Sequence, residues 1–192
     1  MIQLGKLETK YTGRNLIYYK SIDSTQKEAW RLVNKSIPNG TLIVSDIQTS
    51  GIGTHGRTWY TDEDTNLAFS IVLYPKCNIK ILNDFTYKTA EKILSVFKKL
   101  YGIDLEIKIP NDIVHSGKKL GGILTETRLF GELINTLIIG IGINLNQEVF
   151  NEDIKDIASS IKKEFGITVD KTKILTEICN VFEKELFIKF NN

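Results

Sequence analysis

Residues 120–129 and 133–144 form two apolar, β-branched runs separated only by Phe130-Gly131-Glu132. A connection this short forces adjacent strands to run antiparallel, so the two runs read as one long hairpin. The second run, LINTLIIGIGIN, is apolar at consecutive positions rather than alternating. A strand of that kind is covered on both faces and sits centrally in its sheet. The rest of the chain therefore has to supply both further strands and layers on either side.

Residues 15–22 (NLIYYKSI) read as a strand that ends at Asp23-Ser24, a favourable helix N-cap, and a helix over 24–34 follows with Ala29, Trp30 and Val33 on one face. Pro38-Asn39-Gly40 marks a turn before a buried strand at 41–46, and 67–74 (LAFSIVLY) reads as another strand. Residues 83–101 carry apolar side chains at 85, 89–90, 93, 97 and 100, the spacing of an amphipathic helix, and 105–109 reads as a strand. Helices are predicted over 154–165 and 171–187, the last with Ile174, Ile178, Phe182 and Leu186 on one face. The expected fold class is α/β (α+β), a mixed β-sheet flanked by helices, with residues 1–192 forming a single domain.

Composition excludes more than it selects. The 192 residues carry 25 Lys+Arg against 23 Asp+Glu, a net charge of +2 that does not argue for nucleic acid. There is no apolar run of about 18 residues, and MIQLGKLETKY lacks a signal-peptide core, so no membrane and a cytoplasmic location are expected. Cys77 and Cys179 have no CxxC or His partner at ligand spacing and read as reduced packing residues, with no structural metal.

The stretch TSGIGTHGRTW, Thr49 to Trp59, contains G-x-G-x-x-G. A dinucleotide site would need a helix opening on the third glycine and an acidic residue about 20 positions later. Here Arg57-Thr58-Trp59-Tyr60 runs instead into an acidic, Asn-containing turn from Asp62, so the Rossmann reading fails. Polar residues also collect at Asp23-Ser24-Thr25-Gln26, at Gln48, at Lys108-Ile109-Pro110-Asn111-Asp112, at Lys118-Lys119-Leu120-Gly121-Gly122, and at Gly140-Ile141-Gly142-Ile143-Asn144. Each alone has a structural explanation: a helix cap at Ser24, a turn at Pro110, a solvated tip at Lys118-Lys119, close strand packing at the glycines, a surface pair of Arg57 and Trp59.

In this order the five segments resemble the catalytic domain of biotin protein ligases, whose pattern runs D-S-T-N, Q-x-x-G-R-G-R-x-G-R-x-W, K-W-P-N-D, G-x-K-L-x-G-I-L-x-E and G-x-G-I-N. The matches here are Asp23 to Gln26, Gln48 to Trp59, Lys108 to Asp112, Gly117 to Glu126 and Gly140 to Asn144, covering about residues 15–190. The resemblance implies an enzyme that activates biotin with ATP and Mg²⁺ to biotinyl-5'-AMP and transfers biotin to a lysine of a biotin carboxyl carrier protein. It implies catalytic roles for Lys119 and Arg57, and a biotin site of Ser24, Thr25, Gln26, Gln48, Gly51, Ile52, Gly53, Thr54, Lys119 and Gly122. It implies ATP contacts from Arg57, Trp59, Lys108, Asn111, Asp112 and Asn144, with Asp112 as the Mg²⁺ ligand. The glycine loop would then hold the phosphate of an acyl-adenylate. Homodimers occur in the family, but no exposed stripe in this sequence specifies one.

Departures from the pattern carry their own expectations. Ile52 and Thr54 stand where the family has arginines, Gln26 where it has asparagine, and Ile109 where it has tryptophan. Losing two charged donors should weaken adenylate retention, leaving backbone N–H groups and Arg57 to hold the phosphate and Ile52 to pack on the ligand's apolar chain. His55, next in the loop, could supply part of the missing charge, although near neutral pH an ordinary histidine is mostly uncharged. With 14 residues before the first strand, no helix-turn-helix domain and no DNA binding are expected, and no small C-terminal barrel is evident. Lipoate or octanoate ligases and transferases of the same fold are the alternative, as is a non-catalytic relative that only binds biotin or its adenylate.

Overall fold

A computed structural model describes residues 2–61 and 65–190. Its elements in chain order are β1 (Leu16–Ile22), α1 (Thr25–Val33), β2 (Thr41–Gln48), β3 (Gly51–Ile52), β4 (Thr58–Trp59), β5 (Asn66–Leu73), α2 (Phe85–Tyr101), β6 (Glu106–Lys108), β7 (Asp112–His115), β8 (Lys118–Phe130), β9 (Leu133–Asn144), α3 (Ile161–Phe165) and α4 (Lys171–Val181). Seven strands form one sheet in the order β1-β2-β5-β9-β8-β7-β6, with β1 parallel to β2 and every other pair antiparallel. The mixed sheet flanked by helices is as the sequence led us to expect, and β8–β9 is its central hairpin.

Side-chain alternation along β9 separates two layers. Leu137, Ile139, Ile141 and Ile143 enter the main core with Ile93, Val96 and Phe97 of α2 and with Ile174, Ile178 and Phe182. Ile138 faces the other way, against Ala29 and Leu32 of α1, together with Ile43 and Val72. Gly140, Gly142 and Asn144 continue along this second face, across from Ser70, Ala68 and Asn66 of β5. Helix α1 covers only part of that face, which leaves the glycine end of β9 open as a cleft. The β3–β4 ribbon folds over it.

Three expectations are corrected. The turn at Pro110 is real, but Asp112–His115 is a strand paired on both sides, too short for alternation to reveal it. The helix expected over 154–165 is confined to Ile161–Phe165. Residues ahead of it bend so that the Ile157 carbonyl accepts from Lys119 N at 2.8 Å and Ser159 N donates to Lys119 O at 2.9 Å, while Ser160 Oγ caps α3 at Lys163 N. Serine hydroxyls compete with helical bonding in this way. The helix expected over 171–187 keeps regular form over Lys171–Val181 and then continues through a wider and a tighter turn to Phe190. Of the acidic turn expected from Asp62, residues 62–64 lie outside the described part.

Candidate functional site

The cleft is built where β1 hands the chain to α1. Ser24, wholly buried, adopts an extended backbone (φ −161°) and its Oγ meets Lys27 N at a long 3.5 Å. Outside this cap, Arg31 pairs with Asp23 and holds its carboxyl down at about 2. Thr25 N donates to Gln48 Oε1 at 2.8 Å, and Thr25 Oγ1 lies 3.2 Å from the same oxygen, so Gln48 is locked to the start of α1. Gln26 Nε2 donates to Glu126 Oε2 at 2.9 Å, which also accepts from Trp30 Nε1 at 2.7 Å. Ser24, Thr25, Gln26 and Gln48 line a first cleft of about 430 Å³ with Ile52, Gly53, Thr54, Trp59, Asn111, Lys119, Gly122 and the Gly140–Gly142 backbone.

An added side chain would crowd two points of this floor. A Cβ at Gly142 would lie 2.3 Å from Trp59 Cε2, and one at Gly140 would lie 2.5 Å from Gln26 Oε1. The indole of Trp59 thus rests directly on the β9 backbone, and its Nε1 is buried without a hydrogen-bond partner. On the same sheet face, both amide atoms of Asn66 are buried without partners, and Asn144 Nδ2 donates to Ser159 O.

Beyond Trp59 lies a second cleft of about 740 Å³, more apolar, lined by Arg57, Thr58, Tyr60, Asn144, Gln147, Phe150, Ile154, Ile157 and Ala158. Gly53, Thr54, Trp59 and Lys119 line both clefts. Lys119 Nζ stands at their junction, 2.6 Å from Asp112 Oδ1 though off hydrogen-bond alignment, and 5.7 Å from the Trp59 ring centroid. Lys119 is therefore not part of a solvated tip, because its main chain is fixed on both sides by Ile157 and Ser159.

The remaining expected residues are placed unevenly. Arg57 folds back on its own loop, Nη2 3.2 Å from Thr54 Oγ1 and Nε 3.3 Å from Thr54 O, and faces the second cleft. Asn111 lines the first cleft rather than the second, its Nδ2 donating to Ile123 O. Lys108 is exposed on β6 and Gly51 is packed behind Trp59 O; neither lines a cleft. His55 is exposed with φ 58° and lines neither. Among the described residues no three His, Cys, Asp or Glu side chains gather as a metal site, and no helix is long and apolar enough to cross a membrane.

Sequence reasoning assigned no role to Ser70, Glu126, Gln147 or Phe150. A hydroxyl inside the apolar run LAFSIVLY was the one available signal for Ser70. Gln147 and Phe150 belong to a segment placed as a wall by tertiary bonds, among them Ser160 Oγ to Gln147 O and the pairing of Ile157 and Ser159 with Lys119.

The family model described as "Biotin/lipoate A/B protein ligase family" matches residues 18–144. The bifunctional ligase/repressor BirA of Bacillus subtilis is 38% identical over 180 residues, covering 93% of this chain and 55% of its own length. The biotin–[acetyl-CoA-carboxylase] ligase of Paracoccus denitrificans is 27% identical over 167 residues, covering 84% of this chain and 69% of that protein. Among solved structures, the biotin protein ligase from Aquifex aeolicus in complex with biotin and ATP superposes with a TM-score of 0.73 at 33% identity, over 92% of this chain and 75% of that one. The chain thus spans about half the length of the Bacillus relative, and the matched family region runs from within β1 to the end of β9 with every motif of the first cleft. The chain belongs to the biotin/lipoate A/B protein ligase family.

Proposed function

We propose that this chain is the catalytic part of a biotin protein ligase, joining biotin to ATP and passing it to a lysine of a biotin carboxyl carrier protein. The observation that carries the reading is the position of Lys119, whose side chain lines both clefts. A carboxylate in the first cleft and a triphosphate in the second would meet at its ammonium. Two anions brought together need such a cation and preorganised N–H donors to offset their repulsion.

In the first step a biotin carboxylate oxygen attacks the α-phosphorus and pyrophosphate leaves. In the second, the carrier's lysine amine attacks the acyl carbon, AMP departs, and the amine gives up a proton. Ser24, Thr25 and Gln48 supply hydrogen-bonding groups at the end of the first cleft suited to a ureido ring, and Ile52 supplies apolar wall. Phe150, Ile154, Ile157 and Ala158 offer an apolar slot for a base, with Asn144, Gln147 and Arg57 at its edge. Trp59, between the clefts, shields the mixed anhydride from water. Mg²⁺ is commonly held by one or two carboxylates together with substrate phosphates, and Asp112, beside Lys119 although it lines neither cleft, is our candidate carboxylate for such an ion. The ion would neutralise phosphate charge.

The polar floor favours biotin over lipoate or octanoate. A dithiolane or alkyl end would leave Thr25 and Gln48 unpaired toward the ligand, at about 1–3 kcal/mol per lost partner. ATP–pyrophosphate exchange measured with biotin, lipoate and octanoate separately tests the proposal. Exchange with biotin alone is expected; exchange with another acid, or with none from a folded protein, overturns it.

A further inference from the structure

A chain of polar contacts runs beneath the first cleft from Glu126 to Gln48. Its directions can be read because several members can only donate or only accept. Trp30 Nε1–H is a donor, so Glu126 Oε2, which it meets at 2.7 Å, is an acceptor; Gln26, 2.9 Å from the same oxygen, must turn its NH₂ that way. Gln26 Oε1 then faces Ser70 Oγ at 3.0 Å. Ser70 Oγ is also 3.0 Å from Thr25 Oγ1, but its single proton serves one neighbour, and Gln26 Oε1 can only accept. Thr25 is left with acceptors on its protein side, Ser70 Oγ and Gln48 Oε1. Its own proton points inward to one of them, and its lone pairs remain for the cleft.

From this geometry we infer that Glu126 is a positioning residue: acting through Gln26 and Ser70, it keeps Thr25 an acceptor toward the ligand and selects an acid whose ring presents an N–H there. The inference rests on the biotin reading and adds a specificity determinant outside the residues that line the cleft. Gly140 belongs to the same device, since a Cβ there would lie 2.5 Å from Gln26 Oε1 and displace it.

Without an acceptor at 126, Gln26 can turn its NH₂ to Ser70, and the Ser70 proton passes to Thr25, where it competes with the ligand's N–H. Equilibrium binding of biotin is compared with that of analogues carrying a ring oxygen in place of one ureido N–H. The wild-type protein should prefer biotin by about tenfold or more over the disfavoured analogue, the scale of one unpaired polar group. Glu126→Met should cut that ratio by about threefold or more, and Glu126→Gln, which still offers an oxygen, should preserve it. The decisive variant adds Ser70→Ala to Glu126→Met, removing the competing proton and restoring the ratio, which a merely structural role for Glu126 does not predict. Gln26→Met is a second route to the same loss, likewise restored by Ser70→Ala. A ratio unaffected by both methionine variants, or not restored by Ser70→Ala, overturns the inference and leaves biotin binding standing. A wild-type protein that binds no biotin overturns both readings together.

Discussion

Lys119 Nζ lies 2.6 Å from Asp112 Oδ1, and the two residues come from neighbouring strands whose pairing slips by one residue just after Lys119, at Leu120. The slip brings the lysine side chain to the junction of the two clefts. Lys119→Gln should therefore lower ATP–pyrophosphate exchange by about 10²–10³-fold, the scale of losing one preorganised charge-stabilising group. Asp112→Asn, which keeps the cation but removes its partner and the proposed Mg²⁺ ligand, should cost about tenfold or more. Steady-state exchange with circular dichroism as the fold control checks both.

Gly142→Ala should expel Trp59 from its seat on β9, because the added carbon would overlap the indole. Overpacking of this kind costs about 1–3 kcal/mol. In a Trp30→Phe background Trp59 is the one tryptophan left of two, and its emission should shift to the red while biotin affinity falls. Unchanged emission would show that the contact relaxes elsewhere.

Thr54→Arg should slow release of biotinyl-adenylate. Thr54 borders both clefts and at present engages Arg57 through Oγ1 at 3.2 Å, so an arginine there adds a charge and frees Arg57 for the phosphate. A charge-assisted hydrogen bond contributes about 1.5–3 kcal/mol, hence an off-rate lower by about tenfold or more. Stopped-flow chase of preformed adenylate reads it directly.

Cys179, enclosed in the main core, has its thiol pushed up to about 12 by burial. Since the thiolate is the reactive form, Cys179 should resist iodoacetamide at pH 8 in the native protein and react once it is unfolded. The sign of the linkage follows: between the ordinary thiol value of 9.0 and about 12 the unfolded chain loses this proton first, so stability falls as pH rises through that window. Mass spectrometry of labelled peptides and denaturant melts at pH 8 and pH 10 check the two parts.

The sheet was legible because its central strands are long enough for pattern to dominate: LINTLIIGIGIN cannot be read as an edge. The motif residues were legible as a set, and the fold gathers Ser24, Thr25, Gln48, Asn111, Lys119 and Gly122 around one cleft from four separate stretches. What was not legible depends on tertiary pairing. The segment before α3 has a plausible helical pattern, yet its carbonyls and amides are taken by Lys119, which no local propensity encodes. Glu126 stood inside a recognised motif without a role, because its partners Gln26 and Trp30 lie about a hundred residues earlier.

The β8–β9 hairpin also sets where this protein can change length. A single residue inserted between Lys119 and Arg128 would turn the following side chains to the opposite face and scramble the floor of the cleft. A bulge already separates Arg128 from Leu129, and Gly131 turns the tip with φ 60° beside exposed Phe130. Length added at Gly131 would leave the other half of the hairpin in step. Here a tag, a loop or a whole inserted module can be accommodated, so that divergence in size is channelled to one end of the hairpin while the chemistry at the other stays fixed.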